Sequence, residues 1–403
     1  MEGIFMRKWI VLIIIFFIAG TVSAQVTVSG ILDTTVTYQA GAGDSPDHSF
    51  GFEEFANLRL QSKLRDRGAV YGALNLIAAS GDYATNAARI EAYNTGSSLS
   101  FTSYTAGENY IAAIELERLY FRLNGEHIDF DGGLFRLPFG FGHMWGSSDF
   151  LNPKNPLKPD ARPRAILGTA IFWYPTDEMK FLSFYSTPRD PFSREGNGSI
   201  FGISMDYHWD KASIQTLYSF ETPKVLSNYG IHRAGLSLKA DIEIGLVIDA
   251  LYTYNYQADT ELDGLSCSLG IDYSFFDSKV IVLSEYLFNG KTSSTALGYG
   301  GSFSNNHYLY TGFTFRFSDF TNMTTAVINC LDDVSFTPIV SLNHELFQGA
   351  ALTITAQFPI DRDVINGGKR GELGPLPPDE LQPFLPMRMG RYFNCSAKLR
   401  LRF

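Results

Sequence analysis

YFNCSAKLRLRF, residues Tyr392 to Phe403, alternates without a break. Phe393, Cys395, Ala397, Leu399, Leu401 and Phe403 share one parity, and Asn394, Ser396, Lys398, Arg400 and Arg402 share the other. Successive side chains of a strand point to opposite faces, so this segment has one apolar wall and one cationic wall. A soluble sandwich strand with its charged face in water has that pattern. So does a strand placed between lipid and a wet lumen.

The other end of the chain bears on the choice. Arg7 and Lys8 precede an apolar run from Trp9 to Ala19, followed by Val22-Ser23-Ala24. A basic start, a short apolar core and small residues before the cut describe a secretory signal peptide, residues 1–24, cleaved after Ala24. Glu2 is out of place in such a segment, which makes Met6 a candidate start. The run is shorter than the roughly 20 apolar residues a spanning helix needs, and no later stretch reaches that length. Phe (33) and Tyr (21) are abundant, whereas Lys plus Arg number 32 in 403 residues. Without apolar 20-mers or long amphipathic helices, a closed barrel is the remaining way to satisfy backbone groups in lipid. Residues 25–403 read as a single transmembrane antiparallel β-barrel, an all-β fold.

The balance of 32 Lys plus Arg against 42 Asp plus Glu argues against nucleic acid as a partner. The three cysteines, Cys267, Cys330 and Cys395, are an odd number and widely spaced, so no disulfide framework is implied. Cys267 and Cys395 fall on apolar parity and read as small hydrophobes facing lipid.

Two-sided segments continue along the chain. About eighteen strands are expected, starting near 25, 52, 69, 109, 127, 166, 178, 200, 212, 231, 243, 263, 278, 306, 321, 334, 349 and 391. Some faces are clean, such as Phe201, Ile203, Met205, Tyr207 and Trp209, or Leu246, Ile248, Ala250, Tyr252 and Tyr254. In 109–123 the apolar parity changes near Leu116, as a β-bulge would make it do. Every second link is a tight turn, such as Asp66-Arg67-Gly68, Asn124-Gly125-Glu126, Asp210-Lys211 or Gln348-Gly349. The links between them are mostly long: 40–51, 81–108, 138–165, 188–199, 222–230, 290–305 and 360–390. Short periplasmic turns alternating with long external loops are the asymmetry of an outer-membrane barrel. Both termini on one side require an even count, which sixteen or fourteen strands would also satisfy.

The end of the chain, an aromatic preceded by apolar residues at every second position, resembles the C-terminal assembly signal of bacterial outer-membrane barrels. Phe403 would be its terminal residue. The whole mature chain resembles an outer-membrane porin, and Arg136-Leu137-Pro138-Phe139-Gly140 is loosely similar to a run in phosphate-selective-type porins. The resemblance implies an outer-membrane location, a water-filled channel, and a third external loop folded into the lumen. It also implies partners: outer-membrane lipid, small hydrophilic solutes or ions, the barrel-assembly machinery, and a homotrimer, for which the sequence shows no interface signature.

That third link, Pro138 to Ala165, has five prolines and mixes aromatic with basic residues. Arg136, His143, Lys154, Lys158, Arg162 and Arg164 are the candidate pore constriction. A solvated outer loop is the alternative reading. On lumenal parity, Arg59, Lys63, Arg118, Arg122, Lys398 and Arg400 would form a basic wall if the last strand pairs with the first. Asp206, Asp249, Asp272 and Glu285 would face them as an acidic wall. Opposed charges in a narrow pore orient dipolar solutes and sort ions. Trp173, Trp209, Tyr252, Tyr254 and Tyr256 lie near strand ends, as interfacial girdles do.

Catalytic constellations are missing. The seven histidines show no metal-ligand spacing, His344-Glu345 lacks a second histidine, and there is no G-x-S-x-G elbow. No cofactor or metal is expected. The first functional reading is a passive diffusion channel, modestly anion-biased. A substrate-specific channel for small carboxylates or phosphate, a surface adhesin barrel and a barrel enzyme remain the alternatives.

Overall fold

The structure is a computed structural model. It describes residues 26–41, 48–64, 67–81, 102–107, 109–151, 165–188, 198–223, 230–255, 264–290, 305–332, 334–358, 360 and 392–403. The expected signal peptide, Lys154, Lys158, Arg162, Arg164 and Tyr256 lie outside the described residues.

Period-two alternation produces strands throughout. The first are β1 (Val26–Gly41), β2 (His48–Leu64), β3 (Gly68–Ser80), β4 (Thr102–Ala106), β5 (Tyr110–Asn124) and β6 (Ile128–Phe135). Then come β7 (Ile166–Thr176), β8 (Met179–Ser186), β9 (Ile200–Trp209), β10 (Ala212–Glu221), β11 (Ile231–Asp241) and β12 (Gly245–Asn255). The rest are β13 (Leu265–Phe275), β14 (Val280–Asn289), β15 (His307–Arg316), β16 (Thr321–Cys330), β17 (Phe336–Phe347), β18 (Ala350–Gln357) and β19 (Tyr392–Arg402). Wall neighbours are consecutive and antiparallel, and β19 pairs with β1 from Tyr392↔Gly41 to Arg402↔Ile31. The sheet is closed: an all-β barrel of eighteen wall strands, each beginning within four residues of its expected start. Phe403 completes the seam, accepting from Gly30 N–H at 2.8 Å and donating to Gly30 C=O at 3.2 Å.

β4 is the extra strand, inside the link expected to be irregular. One edge of β5 pairs with β3 along its length. Its other edge pairs with β6 only from Leu119 to Asn124 and with β4 from Ile111 to Glu115. β6 leaves the wall early, and β4 covers the ladder groups it would have satisfied. The phase change near Leu116 is a bulge, in which Ala73 pairs with Arg118 and Leu74 with Leu116, leaving Glu117 unpaired.

Burial runs opposite to that of a soluble sheet. On β12, Val247 (2% exposed) and Asp249 (0%) point inward, while Ile248 (41%) points out. Phe201, Ile203, Tyr207 and Trp209 are outward and exposed as well. At the long-link end, outward Tyr and His side chains bond across hairpins: Tyr38–His48, Tyr218–His232 and Tyr286–His307, at 2.7, 2.8 and 2.6 Å.

Candidate functional site

The third long link leaves the wall where β6 ends. Pro138 has no N–H to offer a ladder, and Gly140 follows at φ 80°, a conformation that L side chains rarely adopt. There the chain turns into the lumen. A backbone that quits a sheet carries its N–H groups with it, and each needs an acceptor.

Six consecutive amides find one on the inner wall. Gly140 N–H donates to Gln215 Oε1 at 2.7 Å. Phe141 and Gly142 donate to the two oxygens of Asp249, at 3.0 and 2.7 Å. His143 and Met144 share Glu285 Oε2 at 3.0 and 2.9 Å, and Trp145 takes Oε1 at 3.0 Å. Gln215, Asp249 and Glu285 stand on β10, β12 and β14, so the seam runs across the wall rather than along it. Bonds from amides to ionised carboxylates are stronger than neutral ones. Gln215 is itself fixed, its Nε2 donating to Asp206 Oδ1 at 2.8 Å, while Asp206 pairs with Lys180.

Apolar packing flanks the seam. Phe135, Leu137, Phe139 and Phe150 are buried against inward Leu182, Phe184, Leu217 and Leu251. Trp145, fully buried, meets Leu287, Tyr308 and Tyr310, the last edge-on with ring centroids 6.4 Å apart. The guanidinium of Arg233, 2% exposed, lies 4.8 Å over the Phe150 ring and donates to Glu221 at 2.7 Å. Where the loop covers it, the inner wall from β7 to β16 thus combines apolar patches with a row of buried polar anchors.

The remaining wall, from β17 through the seam to β3, is hydroxyl, amide and charge. Thr353 donates to Asn343 at 2.9 Å, and Ser341 and Thr355 oxygens are 3.0 Å apart. Lumenal Lys398 stands opposite Thr353 and Thr35 in the ladder. Among the described residues, the loop covers one half of the inner wall and leaves the polar half untouched.

No protein-family profile and no curated protein sequence matches this chain. Solved structures do. OccAB4 of Acinetobacter baumannii is similar at a TM-score of 0.54 and 10% identity, over 94% of this chain and 98% of that one. OccK7 (OpdD) of Pseudomonas aeruginosa is similar at 0.52 and 9%, over 94% and 99%. OccK2 (OpdF) of the same organism, solved in complex with glucuronate, is similar at 0.53 and 8%, over 94% and 96%. The fold is that of an outer-membrane porin.

Within this porin fold the expected site residues part company. Arg136 enters the lumen and bonds Glu117, the bulge residue. Asn57 also donates to Glu117, and Arg59 donates to Asn57. Asn75 joins Asn57 to Glu115. Arg118 lies 3.5 Å from Glu117. Arg122 forms two bonds to Asp131, at 2.7 and 2.6 Å, and Arg400 two to Asp33, at 2.8 and 2.7 Å. Lys63 is exposed on the lumenal parity of β2, near the tight-turn end.

On the acidic side, Asp206, Asp249 and Glu285 are inward but sealed, at 3%, 0% and 1% exposure. Asp272 is the one that faces water, 3.3 Å from His143 Nε2. Sequence parity could have found Asp33, Asp131 and Gln215. Glu117 continues the lumenal parity of Ile111, Ala113 and Glu115, and sits beside the change of phase after which Arg118 and Arg122 take the other parity.

Proposed function

We propose that the chain is an outer-membrane channel through which small hydrophilic solutes and ions diffuse, with a bias toward anions. The observation that carries this reading is the loop fastened to one half of the inner wall, which narrows the lumen and leaves a polar half beside it. Passage needs no turnover: size is set by the loop, and sign by the charges along the polar half. Arg59, Lys63, Lys398 and Arg402 are on that side. Lys154, Lys158, Arg162 and Arg164 would add to it from the rest of the third link.

A channel selective for small carboxylates is the second reading, favoured by the fold likeness to OccK2, a protein solved with glucuronate. Under either reading residues 1–24 are a cleaved signal peptide, residues 25–403 are the barrel, and catalysis plays no part. Phe403 would be read by the assembly machinery, and copies would associate, a homotrimer being the arrangement expected of porins.

Planar-bilayer recording tests the reading. Stepwise currents are expected, with a reversal potential in a salt gradient that shows anions permeating better than cations. Reversing Lys154, Lys158, Arg162 and Arg164 together should move that potential toward cations. Silence in the bilayer would favour the adhesin, and cation preference would remove the anion bias.

A further inference from the structure

The tight turns are not alike. Those after β5, β7 and β9 carry exposed charge at their tips: Glu126, Asp177 with Glu178, and Asp210 with Lys211. Arg67, in the turn after β2, is exposed too. On β7 and β9, outward Trp173 and Trp209 stand just above those charges, as tryptophans do at a membrane border. From β11 to β18 the tips differ. Ile242 (57% exposed), Phe276 (77%) and Phe320 (59%) are in the turns after β11, β13 and β15, and exposed Phe347 ends β17 beside Gln348. These four turns are consecutive along the rim.

The outward wall runs into these tips without a break. Down β13, Tyr273, Phe275 and Phe276 follow one another with ring centroids 4.5 and 6.4 Å apart. On β15, Phe313 and Phe315 share the outward parity with Val282 and Val280, and Phe317 comes two residues later. Phe276 sits at φ 53°, a conformation that is costly for a bulky side chain and that glycine takes freely. A ring held there in spite of that strain points to a neighbour that favours it.

Depth agrees. The Tyr–His bonds at the long-link end mark the outer border of the wall, and two of the histidines open a strand: His48 on β2 and His307 on β15. β2 runs 17 residues and β15 runs 10. With a rise of about 3.4 Å per residue and a strand tilt of about 40°, the shorter strand descends roughly 26 Å, the height of the apolar band, and the longer roughly 44 Å. The turn after β15 therefore lies at the inner border of the band. The turn after β2 stands beyond it, in water.

We infer that the short-turn rim is seated unevenly: the turns from β11 to β18 are lodged in the inner leaflet of the outer membrane, and those from β2 to β10 stand in the periplasm. The occupant of the apolar arc is phospholipid, because the arc continues the wall that lipid covers and reaches only to its border. Glu243, Asp277 and Asp319 on the same tips suit that depth, where charge meets headgroups and rings meet acyl chains. The inference rests on the outer-membrane reading proposed above.

The test uses the full barrel with Cys267, Cys330 and Cys395 replaced by Ser, carrying a nitroxide on a single new cysteine. In liposomes of the purified protein and in native outer membranes, collisions with oxygen, which concentrates in lipid, are compared with collisions with a water-soluble nickel chelate. The oxygen-to-chelate ratio should be about threefold or more higher at Phe276→Cys and Phe320→Cys than at Glu126→Cys and Asp177→Cys. Resistance of the unheated barrel to SDS checks that each variant is folded, and Phe347→Cys reads the same arc where either of the first two fails. Equal ratios on the two arcs would overturn the inference. So would chelate access at Phe276→Cys in liposomes with shielding only in native membranes, which would mean that a periplasmic protein covers the arc. Failure of the membrane reading itself shows elsewhere, as chelate access at Ile248→Cys on the outward wall and absence of the protein from the outer-membrane fraction.

Discussion

Gly140 and Asp249 are in such close register that a Cβ built on the glycine would lie 2.6 Å from the carboxylate Oδ2. The same residue sits at φ 80°, so a side chain there is strained twice, by its backbone and by the carboxylate that holds the next two amides. Gly140→Ala should therefore push the loop off Asp249. The expected outcome is a larger, noisier single-channel current with the barrel's thermal midpoint lowered by only a few degrees. A current indistinguishable from that of the parent would mean the loop does not set the aperture.

Glu285 receives three amides, so its loss is felt more than once. Glu285→Ala orphans the N–H groups of His143, Met144 and Trp145, each costing about 1–3 kcal/mol if left buried. The loop is expected to detach rather than bear that cost. Glu285→Gln keeps one carbonyl acceptor and should be milder. Protease sensitivity of the loop in folded barrels, ranked parent, Gln, Ala, is the measurement; an inverted order of the two variants would refute the seam's role.

Across the closing seam, Asp33 neutralises Arg400 with two bonds. Asp33→Asn should unmask that guanidinium and raise anion preference, whereas Arg400→Ala should lower it. Reversal potentials in a salt gradient decide this. Shifts of the same sign in both variants would show that the pair lies off the permeation path.

The bulge can be tested by removing it. Deleting Glu117 sets Leu116 directly before Arg118, so the strand alternates regularly and Ile111, Ala113 and Glu115 keep the lumenal face of Arg118, Tyr120 and Arg122. The barrel should still assemble, seen as a retained heat-modifiable band, with a lowered thermal midpoint because Arg136 loses its partner. Removing its partner instead, as in Arg136→Ala, leaves the Glu117 carboxylate to Asn57 and to Arg118 at 3.5 Å, so the loss should fall short of the about 3–5 kcal/mol of an uncompensated buried charge. Pairing Arg136→Met with Glu117→Gln should recover most of it in a thermal melt.

The strands were legible because the two-residue period carries their faces at every position, and even the bulge near Leu116 announced itself as a slip of phase. β4 did not, since five residues of TSYTA hold too few alternations, and the vacancy it fills arises only when β6 stops at Phe135. The inward turn of the third link was expected from the resemblance to porins, with a solvated outer loop as the alternative. What Asp249 and Glu285 do there was not: their amide partners lie 107 to 142 residues away in sequence, and an anchoring carboxylate is written like any lumenal one.

The seam on Gln215, Asp249 and Glu285 also makes the filter a cartridge. Its fastenings are main-chain groups of residues 140 to 145 on fixed wall positions, so they do not depend on which side chains the rest of the loop displays. For nanopore engineering this separates two tasks that are usually entangled: residues past the seam can be rewritten to sense a new analyte while the mount that holds the aperture steady is left alone.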